Sequence, residues 1–348
     1  MQQPKRSANA VFQGGGVTGI GLAGAYSVID QHYQLQHVAG TSAGAIMAAL
    51  VASGHTAAEI QRIITDLPFD RMMDLSLLDR LLKPLALPLH LLRDLGIFRG
   101  QFLEDTMRGY LTSKAVKTFG DLRDDGSDDP RFRYRLRMVA TDLSQGSLLV
   151  LPEGIAAYGQ DPDRLEIARA VRMSMSIPFF FRAVRLPNPG RPASVVVDGG
   201  VLSGFPLWLY DDGQGPPPLP TFGFMLVNAP TDAQHPLWPA TPERNPISGP
   251  VSLYKAMANT AMNARDAYYL TDDRFAQTIT IDTSGVSPTD FNLDAAAKQR
   301  LLASGVAAAQ EFLRHWDEDL FLRTFRSGQP AVSRRQRVMP VQAPVSPA

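Results

Sequence analysis

Twice in the first 52 residues, a short apolar run ends in a glycine-rich turn that leads into a helical pattern. The runs cover residues 8–13 and 35–39. A strand that feeds a helix and is followed by another strand is typical of a mostly parallel sheet with helices on both faces. Further candidate strands lie at residues 135–142, 147–151, 193–198, 221–228 and 277–282, and candidate helices at 165–175, 253–270 and 295–316. The sequence predicts a three-layer α/β/α fold.

The chain of 348 residues contains no clear internal repeat and no linker long enough to divide it. We expect a single domain over residues 8–325. Residues 326–348 are rich in Pro, Arg, Gln and Ser without apolar periodicity, which predicts a disordered tail.

Composition excludes several function classes. The 34 basic residues balance the 34 acidic ones, so no net field favours nucleic acid. There are no cysteines, which excludes disulfides, thiolate zinc sites and a cysteine nucleophile. The polar N-terminus lacks a signal-peptide pattern, and charges and prolines interrupt the leucine-rich residues 75–98. We therefore expect a cytoplasmic chain without a transmembrane helix.

The second glycine turn, GTSAG at residues 40–44, matches the pattern G-x-S-x-G. A serine at a sharp strand-to-helix turn exposes its hydroxyl at the sheet edge, and the residues two before and two after must be small. The following helix directs its N-terminal amides at the reacting centre. Ser42 is the candidate nucleophile, although a glycine-serine turn can also simply start a helix. The rest of this candidate elbow is Gly40, Thr41, Ala43 and Gly44.

The first turn permits two interpretations. Its sequence GGGVTG fits the dinucleotide pattern G-x-G-x-x-G, but such a fold needs an acidic residue at the end of the second strand, and residues 33–44 contain none. The alternative is an oxyanion hole, because acyl transfer to a serine needs amide donors aimed at the carbonyl oxygen. The candidate donors are Gly14, Gly15, Gly16 and Val17.

A serine hydroxyl needs a proton acceptor, and none of the six histidines follows a strand in a glycine-framed turn. Asp198 ends a run of three valines and precedes Gly199 and Gly200. A carboxylate at the end of a buried strand has a raised pKa and is a better base than a solvated one. Asp-Gly-Gly alone is a weak motif, and Asp198 could instead be a turn residue that caps the end of the strand.

Together, the three motifs resemble those of the patatin-like phospholipase family, in the family's order. The segments VATDLSQG and ARAVRMSMSIPFFFRAV and the C-terminal FNLDAAAKQRLLASGVAAAQEFL are also similar, so the resemblance covers residues 9–322. It implies a modified α/β-hydrolase fold and a Ser–Asp dyad without a catalytic histidine, metal or cofactor. It also implies that Ser42 is the nucleophile, Asp198 the base and the amides of Gly15 and Gly16 the core of the oxyanion hole. One departure is Thr18, where the family often has Lys or Arg.

The resemblance implies a serine hydrolase that cleaves carboxylic esters of lipids. The same site would serve an acyltransferase or thioesterase, and a catalytically silent lipid-binding protein is the alternative from another class. A dehydrogenase is the weakest option. Residues 75–98 fit either a lid for lipid access or buried helices. The alternating arginines of residues 131–138 would either contact a membrane surface or form a solvated strand face. The arginines of the tail would either attract a membrane surface or simply belong to a disordered segment.

Overall fold

The computed structural model describes residues 4–72, 74, 95–211, 217–228, 231–232, 235–239, 247, 272–288 and 290–326. The strands are β1 (Arg6–Phe12), β2 (Tyr33–Thr41), β3 (Gly96–Phe98), β4 (Leu136–Asp142), β5 (Ser147–Leu151), β6 (Phe179–Phe181), β7 (Val184–Asn188), β8 (Arg191–Asp198), β9 (Thr221–Val227), β10 (Thr231–Asp232), β11 (His235–Pro239) and β12 (Thr278–Asp282). The helices are α1 (Ile20–His32), α2 (Ala43–Ala52), α3 (Ala57–Asp66), α4 (Gln101–Thr112), α5 (Ile167–Ser174), α6 (Asp272–Ala276), α7 (Ala295–His315) and α8 (Glu318–Phe325).

The central sheet has the strand order β12-β9-β1-β2-β4-β8-β7, with β5 paired to β4. Four of its seven pairings are parallel and join β12, β9, β1, β2 and β4. The other three, β4–β5, β4–β8 and β7–β8, are antiparallel. The predicted α/β class with a mostly parallel sheet is confirmed. The short connections from β4 to β5 and from β7 to β8 leave no room for a crossover helix, so these two pairs are antiparallel.

Most predicted elements fall at the expected places, with small changes at their ends. Strand β2 covers Tyr33–Thr41 and is therefore two residues longer at each end than the predicted run 35–39. Helix α1 begins at Ile20, after a short 3-10 helix at Gly16–Gly19 that the sequence pattern did not separate from it. The predicted helix at 253–270, nearly all of the leucine-rich segment 75–98 and residues 327–348 of the tail lie outside the described residues.

Successive residues of the central strands enter two separate apolar clusters, as the pleat requires. Ala10 and Phe12 belong to the larger cluster, which includes residues of α1, α2, α5 and α7. Val11 and Ala39 belong to the smaller one, which is completed by the 3-10 helix Leu207–Leu209 and its neighbours. The sheet is therefore buried on both faces, which makes the ends of its strands the place to look for a site.

Strand β4 brings two distant parts of the chain together. One of its edges pairs with β5 over residues 138–142. The other edge pairs first with β2, up to Thr41 opposite Val139, and then with β8, from Asp198 opposite Ala140. Because β2 and β8 approach from opposite directions, their carboxyl ends meet at adjacent positions of the same edge.

Two expectations about membranes and charge can be examined in this fold. Among the described residues, no helix combines the length and apolar character that crossing a membrane requires. The expected strand over residues 131–138 is wrong for its first part, because Pro130–Phe132 form a 3-10 helix and β4 begins at Leu136. Arg131 and Arg137 are ion-paired with Asp129 and Glu153.

The described part of the domain reaches Arg326, one residue beyond the predicted boundary at 325. Its guanidinium lies 2.6 Å from Asp211 Oδ2 and 2.6 Å from Asp273 Oδ2, and all three side chains are at most 2% exposed. Arg326, which follows α8, is thus a buried cation that joins the C-terminal end of the described chain to Asp211 and to Asp273 of α6.

We predict that Arg326→Met destabilises the protein by about 3–5 kcal/mol, because it removes a buried guanidinium that is ion-paired with two buried carboxylates. Urea unfolding followed by circular dichroism measures this difference. Arg164→Met is the control, since Arg164 is 89% exposed in its pair with Asp161 and should contribute at most about 1 kcal/mol. Equal unfolding midpoints for the two variants would contradict the prediction.

Candidate active site

Ser42 occupies a strained turn between β2 and α2. Its backbone angles are φ 55° and ψ −126°, a region that residues with a Cβ atom rarely adopt. The glycines on either side are required by contact: a Cβ on Gly40 would lie 2.1 Å from the carbonyl oxygen of Gly44. A Cβ on Gly44 would lie 2.1 Å from the carbonyl oxygen of Phe12. The turn is therefore as sharp as the G-x-S-x-G pattern predicts.

The strained turn is held by a serine from another element. The Ser42 N–H donates to Ser174 Oγ at 2.9 Å, and Ser174 Oγ donates to the carbonyl oxygen of Val139 at 2.7 Å. Ser174 is fully buried, at the end of α5. One hydroxyl thus ties the serine turn to β4 and satisfies two buried backbone groups.

Asp198 ends β8 beside this turn. Its Oδ1 accepts the N–H of Gly200 at 2.7 Å, and its own N–H donates to the carbonyl oxygen of Ser176 at 2.9 Å. Gly199 has no room for a side chain, because a Cβ there would lie 2.2 Å from the carbonyl oxygen of Val139. The first glycine of the Asp-Gly-Gly sequence is therefore needed where the chain turns next to β4.

The carboxylate of Asp198 has an unusual environment. Asp198 is 5% exposed and Ser42 is 6% exposed. Burial raises the pKa of Asp198 to about 6, against the opposing influence of the Ser42 hydroxyl and the Gly200 amide. Its Oδ2 atom is buried and accepts no hydrogen bond of normal geometry. The site thus holds a carboxylate oxygen that is open to a proton donor.

The Ser42 hydroxyl donates its hydrogen bond to Met175 and not to Asp198. It donates to the thioether sulfur of Met175 at 3.4 Å, a weak hydrogen bond. The Ser42 side chain also opposes the rise in the pKa of Asp198, so the hydroxyl and the carboxylate influence each other in the site.

The glycine turn lies directly on the serine turn, because β1 and β2 are adjacent parallel strands. A Cβ on Gly14 would lie 3.1 Å from the Cβ of Ser42. Of the four candidate donors, Gly14 N–H bonds to the carbonyl oxygen of Gly204 at 2.9 Å, and Val17 N–H to that of Pro288 at 3.0 Å. Within the described residues, the N–H groups of Gly15 and Gly16 have no acceptor. These two amides are the open donors of the glycine turn that lies on the serine turn.

Sequence reasoning did not identify the side chains that support the site. Ser174, Met175 and Ser176 come from one stretch, RMSMS, and each contacts Ser42 or Asp198. The stretch is part of the segment that resembles the family, but alternating Met and Ser carries no local signal for these contacts. Thr18 was noted only as a departure from the family, whereas its hydroxyl bonds within the glycine turn.

His37 and His55 are the buried histidines of the described residues. The His37 ring bonds to the Phe132 carbonyl and Asp124, and the His55 ring bonds to Ser53. Within the same residues, no group of three or more His, Cys, Asp or Glu side chains is arranged to hold a metal ion.

Residues 10–210 match the family model described as patatin-like phospholipase. The chain is 37% identical over 315 residues to the uncharacterized protein YqhO of Bacillus subtilis (strain 168), covering 88% of this chain and 98% of that protein. It is 23% identical over 310 residues to the uncharacterized protein R571 of Acanthamoeba polyphaga mimivirus, covering 87% and 92%.

Solved structures with the same fold include VipD from Legionella pneumophila, with a TM-score of 0.51 and 18% identity over 90% of this chain and 67% of VipD. The type III effector ExoU is a more distant match, with a TM-score of 0.45 and 16% identity over 89% of this chain and 53% of ExoU. The family supports lipid ester hydrolysis in general. The chain therefore belongs to the patatin-like phospholipase family.

Proposed function

We propose that this protein is a serine acyl hydrolase that cleaves carboxylic esters of lipids with Ser42 as nucleophile and Asp198 as base. The observation that carries the proposal is the open, buried Oδ2 of Asp198 beside the Ser42 hydroxyl, where β2 and β8 meet on β4. The open amides of Gly15 and Gly16 next to this pair support the assignment of an oxyanion hole.

In the first half-reaction, Ser42 Oγ attacks the ester carbonyl carbon while its proton passes to Asp198 Oδ2. The negative charge that develops on the carbonyl oxygen is stabilised by the N–H groups of Gly15 and Gly16. The N–H of Ala43, the first residue of α2, has no acceptor among the described residues and is a third candidate donor. Collapse of the tetrahedral intermediate breaks the ester C–O bond, and the leaving alcohol takes the proton from Asp198.

In the second half-reaction, water attacks the acyl-serine carbonyl and gives its proton to Asp198. Collapse releases the carboxylic acid and returns the proton to Ser42 Oγ. A carboxylate whose pKa is about 6 can perform both transfers near neutral pH, because it is ionised at rest yet basic enough to share a proton. The dyad therefore does not require an imidazole.

We predict that a fluorophosphonate probe labels the wild-type protein and that Ser42→Ala abolishes the labelling. The same substitution should lower the turnover of a lipid-class ester panel by about 10⁴-fold or more, because the nucleophile is lost. Ser53→Ala is the matched control: Ser53 is also a buried serine beside α2, but its hydroxyl bonds to the Leu50 carbonyl. Labelling that persists in Ser42→Ala would end the proposal.

We also predict that kcat/KM for a p-nitrophenyl acyl ester rises with pH and reaches half its maximum near pH 6. The sign follows from the raised pKa of Asp198: below about 6 the carboxyl is protonated and cannot accept the serine proton. Asp198→Asn should lower kcat by about 10²–10⁴-fold and remove the acid limb. Asp30→Asn, at the end of α1, is the control and should leave the profile unchanged. An acid limb that survives in Asp198→Asn would assign the base elsewhere.

A further inference from the structure

Thr18 makes a buried contact inside the glycine turn that the dyad mechanism does not use. The residue is 1% exposed, and its Oγ1 donates to the carbonyl oxygen of Gly15 at 2.7 Å. The N–H of Thr18 donates to the same oxygen at 3.2 Å. Two donors from one residue therefore hold a single carbonyl.

That carbonyl belongs to the same peptide unit as the open amide of Gly16. In a trans peptide the C=O and the N–H point in opposite directions, so holding the Gly15 oxygen also fixes the direction of the Gly16 N–H. Thr18 pulls the oxygen toward the start of α1. The Gly16 N–H is thereby directed away from the helix, on the side that has no acceptor in the described residues.

The peptide units on either side are fixed by other parts of the chain. The Gly14 N–H bonds to the Gly204 carbonyl at 2.9 Å, and the Val17 N–H bonds to the Pro288 carbonyl at 3.0 Å. Between these anchors, the Gly15–Gly16 peptide is held from within the turn, by Thr18.

Glycine backbones need such anchors more than other residues do, because they have the largest conformational freedom to lose. Gly16 has a φ of +55°, and a Cβ there would lie 2.0 Å from the Pro288 carbonyl oxygen, so no side chain can replace it. A Cβ on Gly15 would lie 2.2 Å from Leu226 Cδ1 and 3.0 Å from Thr18 Oγ1. The turn must stay free of side chains and takes its rigidity from hydrogen bonds.

We infer that Thr18 is the positioning residue of the oxyanion hole: its hydroxyl orients the Gly15–Gly16 peptide so that the Gly16 N–H is aimed at the developing oxyanion. The inference rests on the proposed function. Thr18 does not touch the substrate in this scheme, and a neutral hydroxyl at this position acts through the backbone alone.

The test compares Thr18→Val, which keeps the shape and removes the hydroxyl, with Thr18→Ser, which keeps the hydroxyl. For hydrolysis of a p-nitrophenyl acyl ester, Thr18→Val should lower kcat about tenfold with KM within about twofold of wild type, since a loosened donor costs less than the hundred-fold or more of a lost one. Thr18→Ser should retain at least about half of the wild-type kcat, because its Oγ can make the same bond.

An acyl trifluoromethyl ketone provides a second readout, because its adduct with the serine places a real oxyanion in the hole. The inhibition constant should rise about tenfold in Thr18→Val, in parallel with the loss of kcat, which a purely structural role would not produce. Ser27→Ala is the matched control: Ser27 Oγ donates to the carbonyl of Gly24, three residues earlier, at 2.7 Å, but lies further along α1. It should leave kcat and inhibition unchanged.

The outcomes are distinguishable. A wild-type protein that neither turns over esters nor reacts with a fluorophosphonate overturns the proposed function and this inference with it. An active wild type whose Thr18→Val variant keeps wild-type kcat and inhibition overturns the inference alone. If Thr18→Val does not fold, Thr18→Ser decides: a folded Thr18→Ser with kcat reduced tenfold shows that the hydroxyl is not what matters.

Discussion

The site depends on one feature of the sheet, the edge of β4 that is shared by two strands running in opposite directions. Val139 is paired with Thr41 from β2, and the next residue, Ala140, is paired with Asp198 from β8. Backbone hydrogen bonds therefore fix the separation of the two strand ends, which are far apart in sequence. Side chains at two strand ends held in one sheet cannot drift apart without breaking the ladder, which is the rigidity that a nucleophile and its base need.

The backbone of Ser42 and the carboxylate of Asp198 are both in unfavourable states, and neighbouring residues stabilise them. Ser42 has a strained backbone, and Asp198 is a buried carboxylate whose raised pKa reflects the loss of solvent. The compensation comes mainly from the end of α5, where Ser174 accepts the Ser42 amide and Ser176 accepts the Asp198 amide. One stretch of chain thus supports both members of the proposed dyad, and a change there would disturb their relative placement before it disturbed the sheet.

Sequence patterns predicted the parts of the structure that local rules determine. The alternation of strand, turn and helix predicted the order β1, α1, β2 and α2, with the strand ends within two residues of those observed. Gly40 and Gly44 are required by the close contacts that the G-x-S-x-G pattern implies. The pairing of β8 with β4 was not predictable, because strand order depends on contacts across more than fifty residues. The contacts of Ser174 and Thr18 were not predictable either, because a hydroxyl on a helix has no local signal that distinguishes a site contact from a surface one.

The family model ends at residue 210, but the site does not. Strand β9 pairs with β1 and positions the glycine turn from outside, and the carbonyl of Pro288, beyond β12, accepts the Val17 amide at 3.0 Å. A Cβ on Gly16 would meet the same carbonyl, so Pro288 also forces the residue there to be glycine. Helix α7 then packs on α1, where Gly24 approaches the Leu302 carbonyl so closely that a Cβ would lie 2.2 Å from it. The part of the chain beyond the family match therefore supplies contacts that hold the glycine turn and α1, and the proposed oxyanion hole depends on it.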